Sequence, residues 1–117
     1  MKVAFATSDL ELVNEQFRSA SHLVVYEITP GASLLERICV LPLDRKVGTD
    51  DRIRAIDGAS IVFVSAIGPS LAVRLAQQGI RVATTPSGTR IAAVLAWIGA
   101  RAYGHEAPRE LGASSSV

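Results

Sequence analysis

Residues 13–28 read VNEQFRSASHLVVYEI, a polar segment that passes directly into an apolar, β-branched run. The run at residues 23–28 is rich in Val, Tyr and Ile, and residues 29–32 place Pro then Gly where a type II turn prefers them. We therefore predict a hairpin whose return strand spans residues 34–41. The polar segment at residues 14–19 holds a phenylalanine among polar and charged side chains, and we predict that it forms one wall of a binding site.

Three further apolar runs are short and almost unbroken, which is typical of strands that are covered on both faces. They are VAFA at residues 3–6, SIVFV at residues 60–64 and IRVA at residues 80–83. Each is followed by polar residues or turn formers, so we predict that each strand opens into a loop.

Three helices are predicted from capping residues and apolar periodicity. Thr49 caps the first helix and Gly58 closes it, while the second begins at residues 68–70 with Pro69 at the tolerated first position. The last helix begins at residues 87–89. Its apolar residues follow the i, i+3, i+4, i+7 rule, and they are Ile91, Val94, Leu95 and Ile98.

The predicted order is strand, two hairpin strands, helix, strand, helix, strand, helix, or β-β-β-α-β-α-β-α. Helices connect the later strands, so the first, fourth and fifth strands should run parallel, while the hairpin extends one edge of the sheet antiparallel. This order predicts an α/β fold with a five-stranded mixed sheet in the ribonuclease H-like arrangement.

Length and composition fit one domain, which we place at residues 1–103, with residues 104–117 as a flexible tail rich in Gly, Pro, Ala and Ser. The formal net charge of +1 gives no reason to expect a nucleic-acid partner. The first apolar run is too short for a membrane span, so we expect no membrane association. Cys39 is the single cysteine, which excludes an intrachain disulfide and suits a cytoplasmic protein.

Ligands of open α/β sheets bind outside the carboxyl ends of the parallel strands. Three predicted loops emerge there, at residues 7–22, 65–70 and 84–90, and the last two lead into helix N-termini, whose unpaired N–H groups favour an anion. The candidate residues for this anion site are Asn14, Gln16, Phe17, Arg18, Ser19, Ser65, Gly68, Ser70, Gly88, Thr89 and Arg90. In the competing interpretation the glycines only start helices, and Ser70 and Thr89 are only caps.

The sequence shows no arrangement of residues that is typical of a catalytic site. Two-metal hydrolysis needs converging carboxylates, but the predicted first and fourth strands carry no acidic residue. Cys39 lies inside a predicted strand, and neither His22 nor His105 has an evident partner for nucleophilic or acid–base catalysis. The sequence holds no G-x-G-x-x-G and no P-loop motif. We therefore expect that the protein is not an enzyme.

Four segments together resemble the dinitrogenase iron–molybdenum cofactor biosynthesis family, in its NifX and NifY type of small carrier domain. They are KVAFATSD at residues 2–9, the stretch at residues 13–28, VSAIGPSLAVRLAQQGIRV at residues 64–82 and the last amphipathic helix, so the resemblance covers residues 2–99. It implies the same ribonuclease H-like fold and a non-catalytic carrier function. The implied cargo is an anionic metal cluster, either an iron–sulfur precursor or the finished cofactor. The implied partners are nitrogenase cofactor-assembly proteins or apo-dinitrogenase.

The sequence departs from this family at the positions that would bind metal. The family's first loop is similar to N-x-H-F-G-S, and here Gln16 stands at the histidine position and Arg18 at the glycine position. Ser65 corresponds to a frequent cysteine, and neither an amide nor a hydroxyl replaces imidazole or thiolate well as an iron ligand. Three outcomes stay open: a cluster held without ligation by helix N-termini with Arg18 and Arg90, recruitment of His22 as a metal ligand, or loss of cluster binding in a domain that docks on partner proteins. We expect the first two combined.

Overall fold

The computed structural model describes residues 1–29, 34–42 and 46–102, and only the backbone at residue 29 and in 34–42 and 99–102. Within these residues the strands are β1 (Lys2–Thr7), β2 (Leu12–Val13), β3 (His22–Thr29), β4 (Leu34–Pro42), β5 (Ile61–Val64), β6 (Arg81–Thr84) and β7 (Thr89–Arg90). The helices are α1 (Thr49–Ala55), α2 (Pro69–Gln77) and α3 (Ile91–Ala102). The predicted Pro-Gly turn at residues 30–31, His105 and the predicted tail at residues 104–117 lie outside the described residues.

Five strands form one mixed sheet in the order β4-β3-β1-β5-β6. β1, β5 and β6 run parallel, while β3 is antiparallel to both β1 and β4. These directions follow from the connections, because α2 carries the chain from the end of β5 back to the start of β6, whereas a short link joins β3 to β4. The predicted α/β architecture, with a mixed sheet and three helices, is confirmed.

The sheet separates two hydrophobic clusters. Along β1, Ala4 and Ala6 belong to the cluster that contains Leu75 of α2, whereas Val3 and Phe5 belong to the cluster formed with α3. This alternation is the period of two expected when both faces of a strand are covered. Full burial of a side chain such as Val3, Phe5 or Leu75 stabilises the fold by about 1.5–3 kcal/mol.

The apolar stripe predicted for the last helix is buried against the sheet. Ile91, Val94, Leu95 and Ile98 are each at most 7% exposed, and Trp97 packs beside them half-buried. They contact the face that presents Phe5, whose ring stacks on Phe63 with centroids 5.2 Å apart. None of the helices in the described part of the chain is long and apolar enough to cross a membrane.

Two predicted helix starts are wrong. The last helix begins at Ile91 and not at residues 87–89, because residues 89–90 form β7, which pairs antiparallel with β2. The N–H of Ile91 donates to the carbonyl of Glu11 at 2.8 Å, so the distant first loop replaces a side-chain cap. In α1 the N-cap is Gly48, and Thr49 is the first helical residue.

Candidate functional site

Three loops meet at the carboxyl edge of the parallel strands. They span residues 8–21, 65–68 and 85–88, and they follow β1, β5 and β6, which are neighbours in the sheet. The N–H of Ser65 donates to the carbonyl of Glu15 at 3.0 Å, and the N–H of Gly88 donates to the carbonyl of Val13 at 3.0 Å. Backbone hydrogen bonds therefore join the first loop to each of the other two.

Asn14 braces the first loop. Its side-chain Oδ1 accepts the N–H of Ser8 at 2.9 Å, and its Nδ2 donates to the hydroxyl oxygen of Ser8 at 2.9 Å. This reciprocal pair closes the segment between the end of β1 and β2. Asn14 is half-buried, and its amide is already engaged with the protein.

Asp9 organises the turn that follows β1. Its Oδ1 accepts N–H donors from Glu11 at 3.0 Å and Leu12 at 2.9 Å, and Thr7 donates its hydroxyl to it at 3.2 Å. The backbone donors of Glu11 and Leu12, with help from the Thr7 hydroxyl, lower the pKa of the Asp9 carboxyl. Leu10, inside this turn, adopts φ 68°, a backbone conformation that non-glycine residues rarely take.

The segment 16–20 forms a turn with an exposed outer side and a buried inner side. The N–H of Ser19 donates to the carbonyl of Gln16 at 3.3 Å, and Gln16, Arg18 and Ser19 are exposed. Phe17 and Ala20 are fully buried in the cluster beneath. The Phe17 ring is an apolar anchor withdrawn from solvent, and its predicted place in the binding site stays a prediction.

Arg52, which the sequence did not single out, lies beneath this turn. It is 1% exposed, and its Nη1 donates to the carbonyl of Ala20 at 2.7 Å and to that of Phe17 at 3.3 Å. Its Nε donates to the carbonyl of Val47 at 3.0 Å. Burial lowers the pKa of the guanidinium. The spacing carried a signal, because Arg52 lies four residues before Ile56, which is buried at the C-cap of α1, so the two residues share one side of the helix.

The second loop leads into α2. Gly68 is the N-cap, Pro69 occupies the first helical position, and no side chain caps the helix. Ser70 is exposed and Ser65 is half-buried. Gly68 therefore starts the helix, as the competing interpretation predicts, but Ser70 does not cap it.

The third loop is closed by its own backbone and by the first loop. Gly88 has φ 93°, in the left-handed region that favours glycine, and this conformation lets its N–H reach Val13. Thr89 donates its hydroxyl to the carbonyl of Pro86 at 2.6 Å. Thr89 therefore closes a turn and does not cap a helix, while Arg90 is exposed in β7.

Thr85, at the start of the third loop, holds a buried hydroxyl. The residue is 8% exposed, and its N–H donates to the carbonyl of Val64 at 3.0 Å. Its Oγ1 has no hydrogen-bond partner among the residues that the structure describes. No local sequence pattern indicates this burial, because it depends on contacts between loops that are distant in sequence.

Charges of both signs surround the edge. Arg18 and Arg90 are exposed in the first loop and in β7, but Asp9 and Glu11 are also exposed there and Glu15 is half-buried. An anionic ligand would therefore meet attraction and repulsion within a short distance, since exposed charges interact over roughly 10 Å at 0.1 M salt. The charge around this edge therefore does not by itself select an anionic ligand.

Soft metal ligands are sparse. Among residues 1–29, 34–42 and 46–102, no group of three or more His, Cys, Asp and Glu side chains is arranged to hold a metal ion. His22 begins β3 opposite Thr7, half-buried, with its Nδ1 3.2 Å from the Ser21 hydroxyl oxygen. Gln16 and Ser65 offer an amide and a hydroxyl, so the described residues favour hydrogen bonding over direct ligation of iron.

A concave surface lies between α1 and α2, away from the three loops. It encloses about 260 Å³ and is lined by Asp50, Ile53, Arg54, Arg74, Gln77 and Gln78. Arg74 pairs with Asp50, and Arg54 pairs with Asp51. None of the predicted site residues lines this groove.

Solved structures with the same fold cover almost the whole chain. The crystal structure of PH0822 superimposes with a TM-score of 0.64 at 24% identity, over 90% of this chain and 91% of that one. The NMR structure of a putative NifB protein from Thermotoga gives a TM-score of 0.55 at 20% identity, over 88% of each chain. At these identities the likeness establishes the fold.

Sequence comparison identifies the family. Protein NifX of Klebsiella pneumoniae is 33% identical over 98 residues, and protein NifX of Azotobacter vinelandii is 31% identical over 99 residues. Each alignment covers 81% of this chain but only 63% of the relative's length. The FeMo cofactor biosynthesis protein FixZ of Rhizobium leguminosarum is 33% identical over 87 residues, which is 69% of this chain and 19% of FixZ. The family model for dinitrogenase iron-molybdenum cofactor matches residues 1–100, so the chain belongs to this family.

Proposed function

We propose that this chain is a non-catalytic carrier domain in iron–molybdenum cofactor biosynthesis. The observation that supports this function is the family match over residues 1–100. In this proposal the cargo is an iron–sulfur precursor or the finished cofactor, an anionic metal cluster. The partners are the cytoplasmic proteins that assemble the nitrogenase cofactor, or apo-dinitrogenase itself.

The proposed cargo site is the edge where the three loops meet. Gln16, Arg18 and Ser19 present an amide, a guanidinium and a hydroxyl on the exposed side of turn 16–20. Beside them the N-terminus of α2 follows Gly68, and its first turn has no side-chain cap, so its N–H groups suit an anion. At the start of α3 the N–H of Ile91 already donates to the carbonyl of Glu11. In this proposal the positive charge of Arg90 is therefore the main attraction for the cluster on that side of the site. Hydrogen bonds and arginine charge would hold the cluster, with His22 as the candidate metal ligand.

The finer fold assignment is part of the same proposal. The sheet order with a central β1, parallel neighbours on one side and an antiparallel hairpin on the other, supports the ribonuclease H-like class. We place the domain at residues 1–103, with residues 104–117 as a tail.

Anaerobic titration with isolated cluster precursor tests the carrier function, with bound iron measured after removal of free cluster. We expect the chain to bind the precursor stoichiometrically. The affinity should fall when salt is added, and it should also fall in the variants Arg18→Glu and Arg90→Glu. Arg81→Glu is the matched control, because Arg81 is exposed at the start of β6, at the opposite edge of the sheet. Absence of bound iron at micromolar protein refutes the carrier function, and unchanged affinity in His22→Ala eliminates that histidine as a ligand.

A docking module without a cluster is the second candidate function. It is favoured by Gln16 and Ser65 at the two positions where imidazole and thiolate are expected, and by the lack of a three-ligand group in the described residues. Pull-down of a nitrogenase assembly protein by the cluster-free chain, unchanged when precursor is added, would support docking. A complex that forms only with loaded chain would support the carrier.

A further inference from the structure

Turn 16–20 is exposed on one side and fixed from the other. Arg18 and Ser19 face solvent, while Phe17 and Ala20 on either side of them have no exposed surface. Two apolar side chains hold the ends of this segment in the core, but they do not define where its carbonyl groups point. That orientation is set by hydrogen bonds, since buried carbonyls need donors.

The donors come from Arg52, a residue of a different element. The two hydrogens of Nη1 reach the carbonyls of Phe17 and Ala20, at 3.3 and 2.7 Å. The Nε hydrogen reaches the carbonyl of Val47, just before α1. A planar guanidinium donates in fixed directions, so one side chain ties the turn to the start of a helix with a defined geometry.

We propose that Arg52 is a positioning residue for the cargo site, and this role rests on the proposed carrier function. By holding both carbonyls inward, Arg52 keeps the exposed side chains of Gln16, Arg18 and Ser19 in one arrangement. Without it, water would compete for the two carbonyls and the turn would sample other conformations, so that part of the binding energy would be spent on ordering it. Arg52 itself is buried and does not contact the cargo.

The chemistry of the guanidinium distinguishes Arg52 from a lysine. An ammonium carries its three donors on one nitrogen, so a lysine at this position could donate to the turn carbonyls but would lack the second, fixed donor that Nε directs at the Val47 carbonyl. Arg52→Lys should therefore retain part of the ordering, whereas Arg52→Met supplies no donor. Arg54→Met is the matched control, because Arg54 lies on the same helix with its side chain 74% exposed and pairs with Asp51.

Two readouts on the full chain separate positioning from a purely structural role. Hydrogen exchange at the Ser19 amide should accelerate about tenfold or more in Arg52→Met, while the amides that join β1 to β3 keep their protection. Affinity for a synthetic [4Fe–4S] thiolate cluster, measured under anaerobic conditions where each variant is folded, should fall about tenfold in Arg52→Met, less in Arg52→Lys and not in Arg54→Met.

The outcomes are distinct. Failure of the unaltered chain to bind the cluster overturns the carrier function, whereas full affinity in folded Arg52→Met overturns only the role of Arg52. Exchange that accelerates equally in the sheet and in the turn also overturns it, because Arg52 would then stabilise the whole fold. If Arg52→Met does not fold, Arg52→Lys decides, and an affinity equal to that of the unaltered chain contradicts the proposal.

Discussion

Two buried threonines at the carboxyl edge of the sheet should respond in opposite directions to the same substitution. Thr7 is fully buried at the end of β1, and its hydroxyl donates to Asp9 and accepts the N–H of Leu10 at 3.0 Å. Thr85 is nearly as buried, but its hydroxyl has no partner in the described part of the chain. Threonine to valine keeps the shape of the side chain and replaces the hydroxyl by a methyl group.

The magnitudes follow from these partners. In Thr85→Val the cost of burying a hydroxyl without a hydrogen bond disappears, and we expect the free energy of unfolding to rise by about 1 kcal/mol. In Thr7→Val the N–H groups of Asp9 and Leu10 lose the Thr7 hydroxyl as their acceptor, and we expect a fall of about 1–3 kcal/mol. Leu10, already held at a positive φ, adds to the loss because its N–H is one of those donors.

Urea denaturation followed by circular dichroism measures both variants. The midpoint should move up in Thr85→Val and down in Thr7→Val with the same slope, since neither change alters the surface exposed on unfolding. A destabilised Thr85→Val would refute the reasoning, because it would show that the Thr85 hydroxyl is satisfied. An unchanged Thr7→Val would show that the Asp9 turn does not depend on the Thr7 hydroxyl.

Three further substitutions test the loops. Gln16→His places an imidazole at the exposed turn and should raise the affinity for a synthetic [4Fe–4S] thiolate cluster, whereas the same change at the exposed Gln77 should not; equal affinities would mean that turn 16–20 does not ligate. The lowered pKa of Asp9 means that its carboxylate stabilises the fold above its ordinary pKa of 3.8 and that this stability is lost as pH falls through the lowered value. The urea midpoint falls as the pH is lowered, and this fall should be smaller in Asp9→Asn than in Asp57→Asn. An equal fall in the two variants would contradict this prediction. Gly88→Val should destabilise by about 1–2 kcal/mol or more and Gly88→Asn by less, because Asn tolerates the left-handed region; equal losses of unfolding free energy would contradict the role of φ at this position.

The main sheet could be predicted because its strands carry local signals. Residues 3–6 and 61–64 are continuous apolar runs, and the helix that begins at Pro69 connects two strands, which makes those strands parallel. The small sheet of β2 and β7 could not be predicted, since a two-residue strand shows no periodicity. Its partner lies far away in sequence, so the start of the last helix was placed too early as well.

The meeting of the three loops was predictable, but the contacts made by their side chains were not. Parallel strands bring their carboxyl ends together, and this alone located the three loops. Phe17 has polar neighbours, so nothing local indicated that its ring is buried. Arg52 was missed because arginine is rarely buried, even though its spacing from Ile56 placed it on the inner face of α1.

The central claim is that the three loops form one cargo site, and amide mapping tests it most directly. A synthetic [4Fe–4S] thiolate cluster is added anaerobically to the isotope-labelled full chain, and NMR signals attenuated by the cluster are assigned. We predict attenuation in residues 14–19, 65–70 and 85–90, with the groove between α1 and α2 unaffected. Attenuation confined to that groove, around Arg54 and Arg74, or no attenuation at all, would contradict the claim.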